Sequence, residues 1–223
     1  MRHTIVALLT AAAFALTAAP AQAETWTAAD RRADVRAQPY RPGGDPCQQP
    51  PDRRVRNDKR HDITALTVDH GSEAVVLTLT LRDVARRDAS TSYDLHVRTP
   101  GGAFAIDLTR YEPGGDLQTF LAEEPDPPTP AEIGDDCSYA YGSVGLPCEG
   151  LTAVGESKTT LVRLTIPRSC LDDPAWVRAA AQVYGFTKTD AQDRFTVFSD
   201  YWAPRGVRRS GFLPPFGPRV KQG

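Results

Sequence analysis

The sequence predicts an all-β protein, an antiparallel β-sandwich that is jelly-roll or immunoglobulin-like in its general architecture. Three observations indicate this class. Apolar and polar residues alternate with a period of two over 75–82, again over 93–98 and 104–109 on either side of a Pro-Gly-Gly turn, and once more over 160–166. Successive side chains of a strand point to opposite faces, so each segment has one apolar and one polar face. This pattern is typical of antiparallel sheets packed as a sandwich or a barrel.

Each predicted strand is identified by the apolar residues that share one face. The first covers 63–68, and the strands 93–98 and 104–109 form a hairpin. The inward-facing residues of the other strands are Val75, Leu77, Leu79 and Leu81; Tyr93, Leu95 and Val97; Phe104, Ile106 and Leu108; and Val162, Leu164 and Ile166.

The segment 166–185, IPRSCLDDPAWVRAAAQVYG, fits two structures. Two aspartates and Pro174 precede an Ala-rich stretch that ends at Gly185, and these are good start and stop signals for a helix. A strand would instead place alternate small apolar residues on one face: Val177, Ala179, Ala181 and Val183. Periodicity alone does not decide between the two.

The chain divides into three predicted parts. A short polar start, an apolar run over 5–18 and an Ala-Gln-Ala site predict a signal peptide over 1–23, removed on export. Residues 24–204 have the length of a single domain, here a sandwich with irregular loops at 38–60 and 112–147. The residues 205–223, rich in Arg, Gly and Pro, predict a mobile tail. No second apolar segment predicts a membrane span, so we expect a secreted, extracellular protein.

Composition narrows the partners and the cysteine chemistry. The formal net charge is −2 at pH 7, which argues against nucleic acid or an anionic membrane because both favour a basic excess. The four cysteines are Cys47, Cys137, Cys148 and Cys170. In an exported chain this even number predicts two disulfides, with three connectivities open. No Cys-x-x-Cys pair occurs, which disfavours a zinc site.

The chain contains several short motifs: Trp26 to Val35 (WTAADRRADV), Asp62-Ile63, Cys148-Glu-Gly-Leu151, Ile166-Pro-Arg-Ser-Cys-Leu171 and Pro174-x-Trp-Val-Arg178. Together they resemble those of a group of uncharacterised secreted bacterial proteins. The sandwich of these proteins is similar to the DOMON-like and family-9 carbohydrate-binding-module folds. The resemblance implies that the segment after Pro174-x-Trp-Val-Arg178 is a strand.

The resemblance also implies a disulfide between Cys148 and Cys170. Hairpin geometry supports it, because a tight turn before the last of the predicted strands would place Cys148 opposite Thr165, one bend away from Cys170. Cys47 and Cys137 are then left to join the two long loops. The alternative connectivity pairs Cys137 with Cys148 and Cys47 with Cys170.

The sequence contains no recognisable catalytic motif. Neither a Gly-x-Ser-x-Gly elbow nor a His-Glu-x-x-His or His-x-His pair occurs, so no catalytic residue is assigned. The histidines after residue 23 are His61, His70 and His96. His96 alternates outward on its strand and is predicted to be solvated.

Two groups of residues are candidate binding sites, and the first is acidic. Asp30, Asp34 and Asp62 are the acidic residues of the resembling motifs, and in some calcium-stabilised sugar-binding sandwiches acidic residues near the first strand contribute to an ion site. Calcium takes six to eight oxygen ligands, which three aspartates and nearby carbonyls could supply. Capping of turns and strand ends by these aspartates is the simpler interpretation, and both stay open.

The second candidate is the aromatic segment Phe198-Ser-Asp-Tyr-Trp202. Exposed aromatic rings can stack on the flat apolar faces of sugars. Because adjacent residues of a strand point to opposite faces, we predict that Trp202 and Asp200 face outward and contact glycan, with Tyr201 inward. The alternative is an edge strand whose aromatic residues close the sandwich.

These observations predict a secreted, non-catalytic binding module at the cell exterior, with glycan as the expected ligand class. The fold alone does not fix this function. Two alternatives remain: an envelope module that binds a protein partner, and a hydrolase whose carboxylates the sequence does not single out.

Overall fold

The computed structural model describes residues 23–40, 51–83, 91–110, 116–124, 144–156, 160–188, 195–203 and 214–223. These residues contain thirteen β-strands, a 3₁₀ turn at Arg168–Leu171 and no α-helix. The strands are β1 (Glu24–Ala29), β2 (Arg36–Tyr40), β3 (Arg53–Arg54), β4 (Ile63–His70), β5 (Ala74–Leu81), β6 (Thr91–Arg98), β7 (Ala103–Thr109), β8 (Gln118–Glu123), β9 (Thr152–Glu156), β10 (Leu161–Pro167), β11 (Trp176–Lys188), β12 (Phe195–Tyr201) and β13 (Val220–Lys221). The predicted all-β class is confirmed.

The strands form two antiparallel sheets that pack together as the predicted sandwich. Among the described residues, the smaller sheet has the strand order β1-β4-β5-β10-β9, and the larger has the order β3-β2-β12-β11-β6-β7-β8, with β13 paired to β11. The apolar faces predicted from alternation line the core between the sheets: Leu77, Leu95, Ile106 and Leu164 are fully buried. Burial of these alternating residues is what fixes the register of each strand.

The ambiguous segment is a strand, as the resemblance implied. β11 lies in the middle of the larger sheet, where it pairs with β6 on one side and β12 on the other. Its inward residues Val177, Ala179, Ala181 and Val183 are buried. A helix here would leave the backbone groups of both neighbouring strands without partners, and this cost overrides the local helix signals.

The disulfide between Cys148 and Cys170 is present, with 5.5 Å between the two Cα atoms. The predicted pairing register beside it is wrong. Thr165 pairs with Thr152 and not with Cys148, because β9 and β10 are joined by a longer connection than the predicted tight turn. Cys47 and Cys137 lie outside the described residues, and so do residues 1–22 of the predicted signal peptide.

Two of the predicted irregular regions contain regular structure. β8 lies within 112–147 and pairs with β7. β2 extends into the start of 38–60, and β3 lies inside that region and pairs with the first two residues of β2. Residues 214–223 of the predicted tail lie against the sandwich, where β13 pairs with β11. The side chain of Val220 is buried in the core, and the Gly217 N–H donates to the Ala179 carbonyl at 2.8 Å. One apolar side chain and a short strand pairing attach this end of the chain to the larger sheet.

No helix in the described part of the chain is long and apolar enough to cross a membrane.

Candidate functional site

Four aspartates meet at the end of the sandwich where the chain passes from β1 to β2, and we call Asp30, Asp34, Asp62 and Asp200 the acidic centre. Asp30 directly follows β1, Asp34 lies just before β2, Asp62 directly precedes β4 and Asp200 belongs to β12. Carboxylate oxygens of Asp30, Asp34 and Asp200 all lie within 4.8 Å of one another. Segments distant in sequence therefore place their carboxylates in one small volume.

Backbone amides hold the carboxylates of Asp200 and Asp30 in place. Asp200 Oδ2 accepts a hydrogen bond from the Ile63 N–H at 2.9 Å, which links β12 to the start of β4 across the sandwich. Asp30 Oδ1 accepts from the N–H groups of Arg31 at 2.7 Å and Ala203 at 3.1 Å. Such bonds fix the positions of these two carboxylates.

Asp62 is fully buried, as Asp200 is. Its Oδ2 accepts from the Ala33 N–H at 2.8 Å and from Arg82 Nη1 at 2.7 Å. Ala33 has a φ of 62°, a left-handed conformation that is strained for alanine. This conformation directs the Ala33 N–H toward Asp62. Asp62 Oδ1 is buried and accepts no hydrogen bond from the described residues.

The electrostatic consequence is clearest at Asp200, whose side chain is 0% exposed. The pKa of Asp200 is raised to about 9. Burial is the largest cause, and the negative charges of Asp34, Asp30 and Asp62 add to it. The hydrogen bond from the Ile63 N–H acts in the opposite direction. Buried carboxylates at short distance repel one another, so they favour either a proton or a cation among them. The centre can therefore hold positive charge.

The structure modifies the predicted metal ligands. Asp30 and Asp34 lie together as expected, and Asp62 lies beside them. Asp200 joins them, although the sequence predicted an outward-facing glycan contact for it. That prediction is wrong, because Asp200 alternates onto the inner face of β12 opposite the buried Val183. The sequence signal for this position is the two-residue spacing of Asp200 and Trp202, which places both side chains on the same face of the chain.

The predicted glycan-stacking residue, Trp202, is also in the core. Its side chain is 0% exposed and packs edge-to-face on Trp26, with 5.3 Å between ring centroids and 86° between planes. Its Nε1–H donates to the Ala28 carbonyl at 3.2 Å. The predicted orientation of this segment is therefore wrong. Trp202 closes the sandwich, and Tyr201 lies on the outer face. β12 is not an edge strand either, since it pairs with both β2 and β11.

Five residues form a line across the outer face of the larger sheet, one from each of five neighbouring strands, and we call this line the outer-face row. Directly opposed residues of paired strands point to the same face, and here each member opposes the next. Four intervals of about 4.8 Å give the row a length of about 19 Å. Its members in order are Tyr201, Gln182, Asp94, Asp107 and Phe120.

The row combines hydrogen-bonding groups with aromatic rings at both ends. Gln182 Nε2 donates to Asp94 Oδ2 at 2.9 Å. Tyr201 is half-buried and meets Tyr184 edge-to-face at 6.4 Å, and Phe120 is 48% exposed. Gln182 is buried and Asp94 and Asp107 are partly buried, so the row carries two partly exposed rings at its ends with an amide and two carboxyls between them.

Asp94 and Asp107 are a cross-strand pair of acids in the middle of this row. The pKa of Asp94 is raised to about 6. Burial is the largest cause, and the negative charge of Asp107 adds to it. The hydrogen bond from Gln182 and the charge of His96 act in the opposite direction. Two like charges directly opposite each other destabilise a sheet. A proton shared by the pair relieves this repulsion and makes one carboxyl a donor and the other an acceptor.

His61 is held by contacts inside the fold. His61 Nδ1 lies 2.8 Å from Asp58 Oδ2, and the imidazole stacks on Phe198. Burial raises the pKa of Asp58, but the hydrogen bond and charge of His61 outweigh it, so this pKa lies below its usual value. His61 is buried, and its Nε2 packs directly on Gly185. This Asp–His pair is therefore enclosed on the side that a catalytic base would need open.

His96 corrects another prediction. It points outward from β6 as expected, but it is buried and not solvated. Its Nδ1 lies 3.1 Å from Glu124 Oε1, just beyond β8. This contact is with a residue distant in sequence, so strand alternation alone does not predict it.

Comparison of the chain with protein-family models, curated proteins and solved structures gave no match. The resemblance to DOMON-like and family-9 carbohydrate-binding-module folds stays a prediction.

Proposed function

We propose that this protein is an exported, non-catalytic binding module that takes a glycan on the outer-face row. The single observation that carries the proposal is the alignment of aromatic, amide and carboxyl side chains across five paired strands on the outer face of the larger sheet. The site differs from the one predicted at Trp202, which is part of the core.

The side chains of the row suit a carbohydrate chemically. A sugar ring has an apolar face that packs on aromatic side chains, and its hydroxyls donate and accept hydrogen bonds. Tyr201 and Phe120 supply the aromatic contacts at the two ends. Gln182, Asp94 and Asp107 supply donors and acceptors between them. An extended oligosaccharide lying along the row would meet both kinds of group.

Export is supported by two features that do not depend on the ligand. The first 23 residues have the pattern of a signal peptide. The Cys148–Cys170 disulfide indicates an oxidising compartment, where such bridges persist. A glycan ligand would be met at the cell exterior.

The test is a glycan-array screen of the secreted protein, followed by calorimetric titration of the best oligosaccharide. Tyr201→Ala should weaken binding at least tenfold because it removes one aromatic contact. Tyr40→Ala is the matched control. Tyr40 is exposed on the same sheet, opposite Phe195, and six residues along β12 put it about 20 Å from Tyr201. Equal affinity of the two variants, or no binding to any glycan, would contradict the proposal.

The Asp94–Asp107 pair favours one second candidate, a hydrolase that uses these carboxyls. A pair of acids that shares a proton can act as general acid and general base. Incubation of the bound oligosaccharide with the protein, followed by measurement of new reducing ends, separates the two functions. Turnover that Asp107→Asn abolishes would establish the hydrolase; binding without turnover supports the module.

A further inference from the structure

We propose that the glycan bound by the outer-face row is an oligosaccharide of amino sugars, one of whose free, positively charged amines binds at the middle of the row. The proposal rests on the function proposed above and names the class of glycan. The middle of the row consists of Gln182, Asp94 and Asp107, which oppose one another on the neighbouring strands β11, β6 and β7. Two intervals between strands place these three residues within about 10 Å.

The two acids carry negative charge that no basic side chain neutralises by direct contact. Among the described residues, no lysine or arginine forms an ion pair with Asp94 or Asp107. The imidazole of His96, which also points outward from β6, is paired with Glu124. At pH 7 Asp94 is mostly ionised, because its raised pKa is about 6. A ligand cation between the two carboxylates would relieve the repulsion that a proton relieves at lower pH.

Gln182 supplies an observation that does not depend on charge. The residue is 6% exposed, and its Nε2 donates to Asp94 Oδ2 at 2.9 Å. Its Oε1 is buried and accepts no hydrogen bond from the described residues. A buried acceptor without a donor costs free energy. Because Nε2 and Oε1 belong to one amide group, this unsatisfied acceptor lies next to Asp94, and a ligand that brings a donor there is favoured.

The acceptors select the chemistry of the ligand group. Ionised carboxylates and the amide oxygen only accept hydrogen bonds, whereas a primary ammonium has three donors and no acceptor. One ammonium can therefore satisfy Asp94, Asp107 and the Gln182 oxygen together. A neutral hydroxyl donates a single hydrogen bond. Calcium takes six to eight oxygen ligands, which is more than these three side chains provide.

The ends of the row indicate that a sugar carries the amine. Tyr201 opposes Gln182 from β12, and Phe120 opposes Asp107 from β8. Each aromatic residue therefore lies one strand interval, about 5 Å, from a polar residue of the middle. Tyr201 is half-buried, and Phe120 is 48% exposed. The apolar faces of sugar rings can pack on these side chains, whereas a simple polyamine would leave both of them without a partner.

The test compares three oligosaccharides of equal length and linkage, made of glucosamine, N-acetylglucosamine or glucose, by calorimetric titration of the secreted protein at pH 7. The glucosamine oligomer should bind at least tenfold more tightly than the other two, because only its amines are charged. Asp107→Asn should remove this preference, since it removes one of the two charges and keeps the shape. Asp69→Asn is the matched control: it makes the same charge change on β4 of the smaller sheet and should leave the preference intact.

The outcomes separate the role of the amine from glycan binding itself. Equal affinities for the three oligomers would refute the role of the amine and leave the glycan-binding function standing. No binding of the three, with another glycan bound on the array, would do the same. A preference that survives Asp107→Asn, or displacement of the glucosamine oligomer by spermine at equal concentration, would also overturn the proposal. If Asp107→Asn does not fold, Asp94→Asn removes the other charge and decides the matter.

Discussion

Replacing Trp202 by alanine should be among the most destabilising single changes in this protein. The indole is fully buried, packs edge-to-face on Trp26 and donates a hydrogen bond to the Ala28 carbonyl. Truncation of a buried Trp to Ala costs about 3–5 kcal/mol through lost burial and the cavity left behind. The lost hydrogen bond adds about 1 kcal/mol because the Ala28 carbonyl loses its donor. We therefore expect Trp202→Ala to lower the free energy of unfolding by about 4–6 kcal/mol.

That loss is a large part of the about 5–15 kcal/mol by which domains are stable. The assay is urea denaturation followed by far-ultraviolet circular dichroism, which does not depend on the removed fluorophore. Trp176→Ala is the matched control: Trp176 is partly exposed, and its ring lies 4.4 Å from the Arg219 guanidinium, a contact worth about 0.5–1 kcal/mol. If Trp202→Ala cost no more than Trp176→Ala, the assignment of Trp202 to the core would be refuted.

Removing the disulfide by Cys148→Ala with Cys170→Ala should lower the free energy of unfolding by about 3 kcal/mol, since the bridge spans 22 residues; a loss below about 1 kcal/mol in a denaturant titration would argue against this. Burial and the carboxyl opposite it raise the pKa of Asp94 to about 6, so the folded state binds this proton more tightly than the unfolded state. The stability gained from the proton is complete below about pH 4 and is lost as the pH rises through 6. Melting curves from pH 4 to 7 should accordingly show a decline on the order of 1–3 kcal/mol that Asp94→Asn removes, and an identical slope in both proteins would count against it. A Cβ at Gly185 would lie 1.8 Å from His61 Nε2, so Gly185→Ala should cost about 1–3 kcal/mol or prevent folding; a melting temperature equal to that of the unchanged protein would disprove the close packing.

Local patterns were sufficient wherever one face of a strand is apolar. The alternation over 75–82 and the hairpin of 93–98 with 104–109 predicted β5, β6 and β7, because a slip of one residue would turn every apolar side chain into solvent. The same patterns were silent about β8 and about residues 214–223. β8 carries its apolar residues consecutively, as Phe120, Leu121 and Ala122, and β13 has only two residues, so neither shows a period-two alternation.

Alternation also predicts which residues share a face, but it does not say which face is buried. In Phe198-Ser-Asp-Tyr-Trp202 it correctly placed Asp200 with Trp202 and opposite to Tyr201. The orientation depended on the neighbours of β12, which lies between β2 and β11 with one face against Trp26. Only the packed sheets supply that information.

The sequence by itself determined the all-β class, the main strands and three members of the acidic centre, and the resemblance added the Cys148–Cys170 bridge and the strand character of β11. Only the tertiary structure showed why β11 is a strand, through its pairing with two neighbours, and that Asp200 completes the acidic centre. It alone revealed the outer-face row, since that row draws one residue from each of five strands. The physical reason is common to these cases: propensity and alternation act over a few residues, whereas burial, pairing and charge repulsion depend on residues brought together from distant parts of the chain.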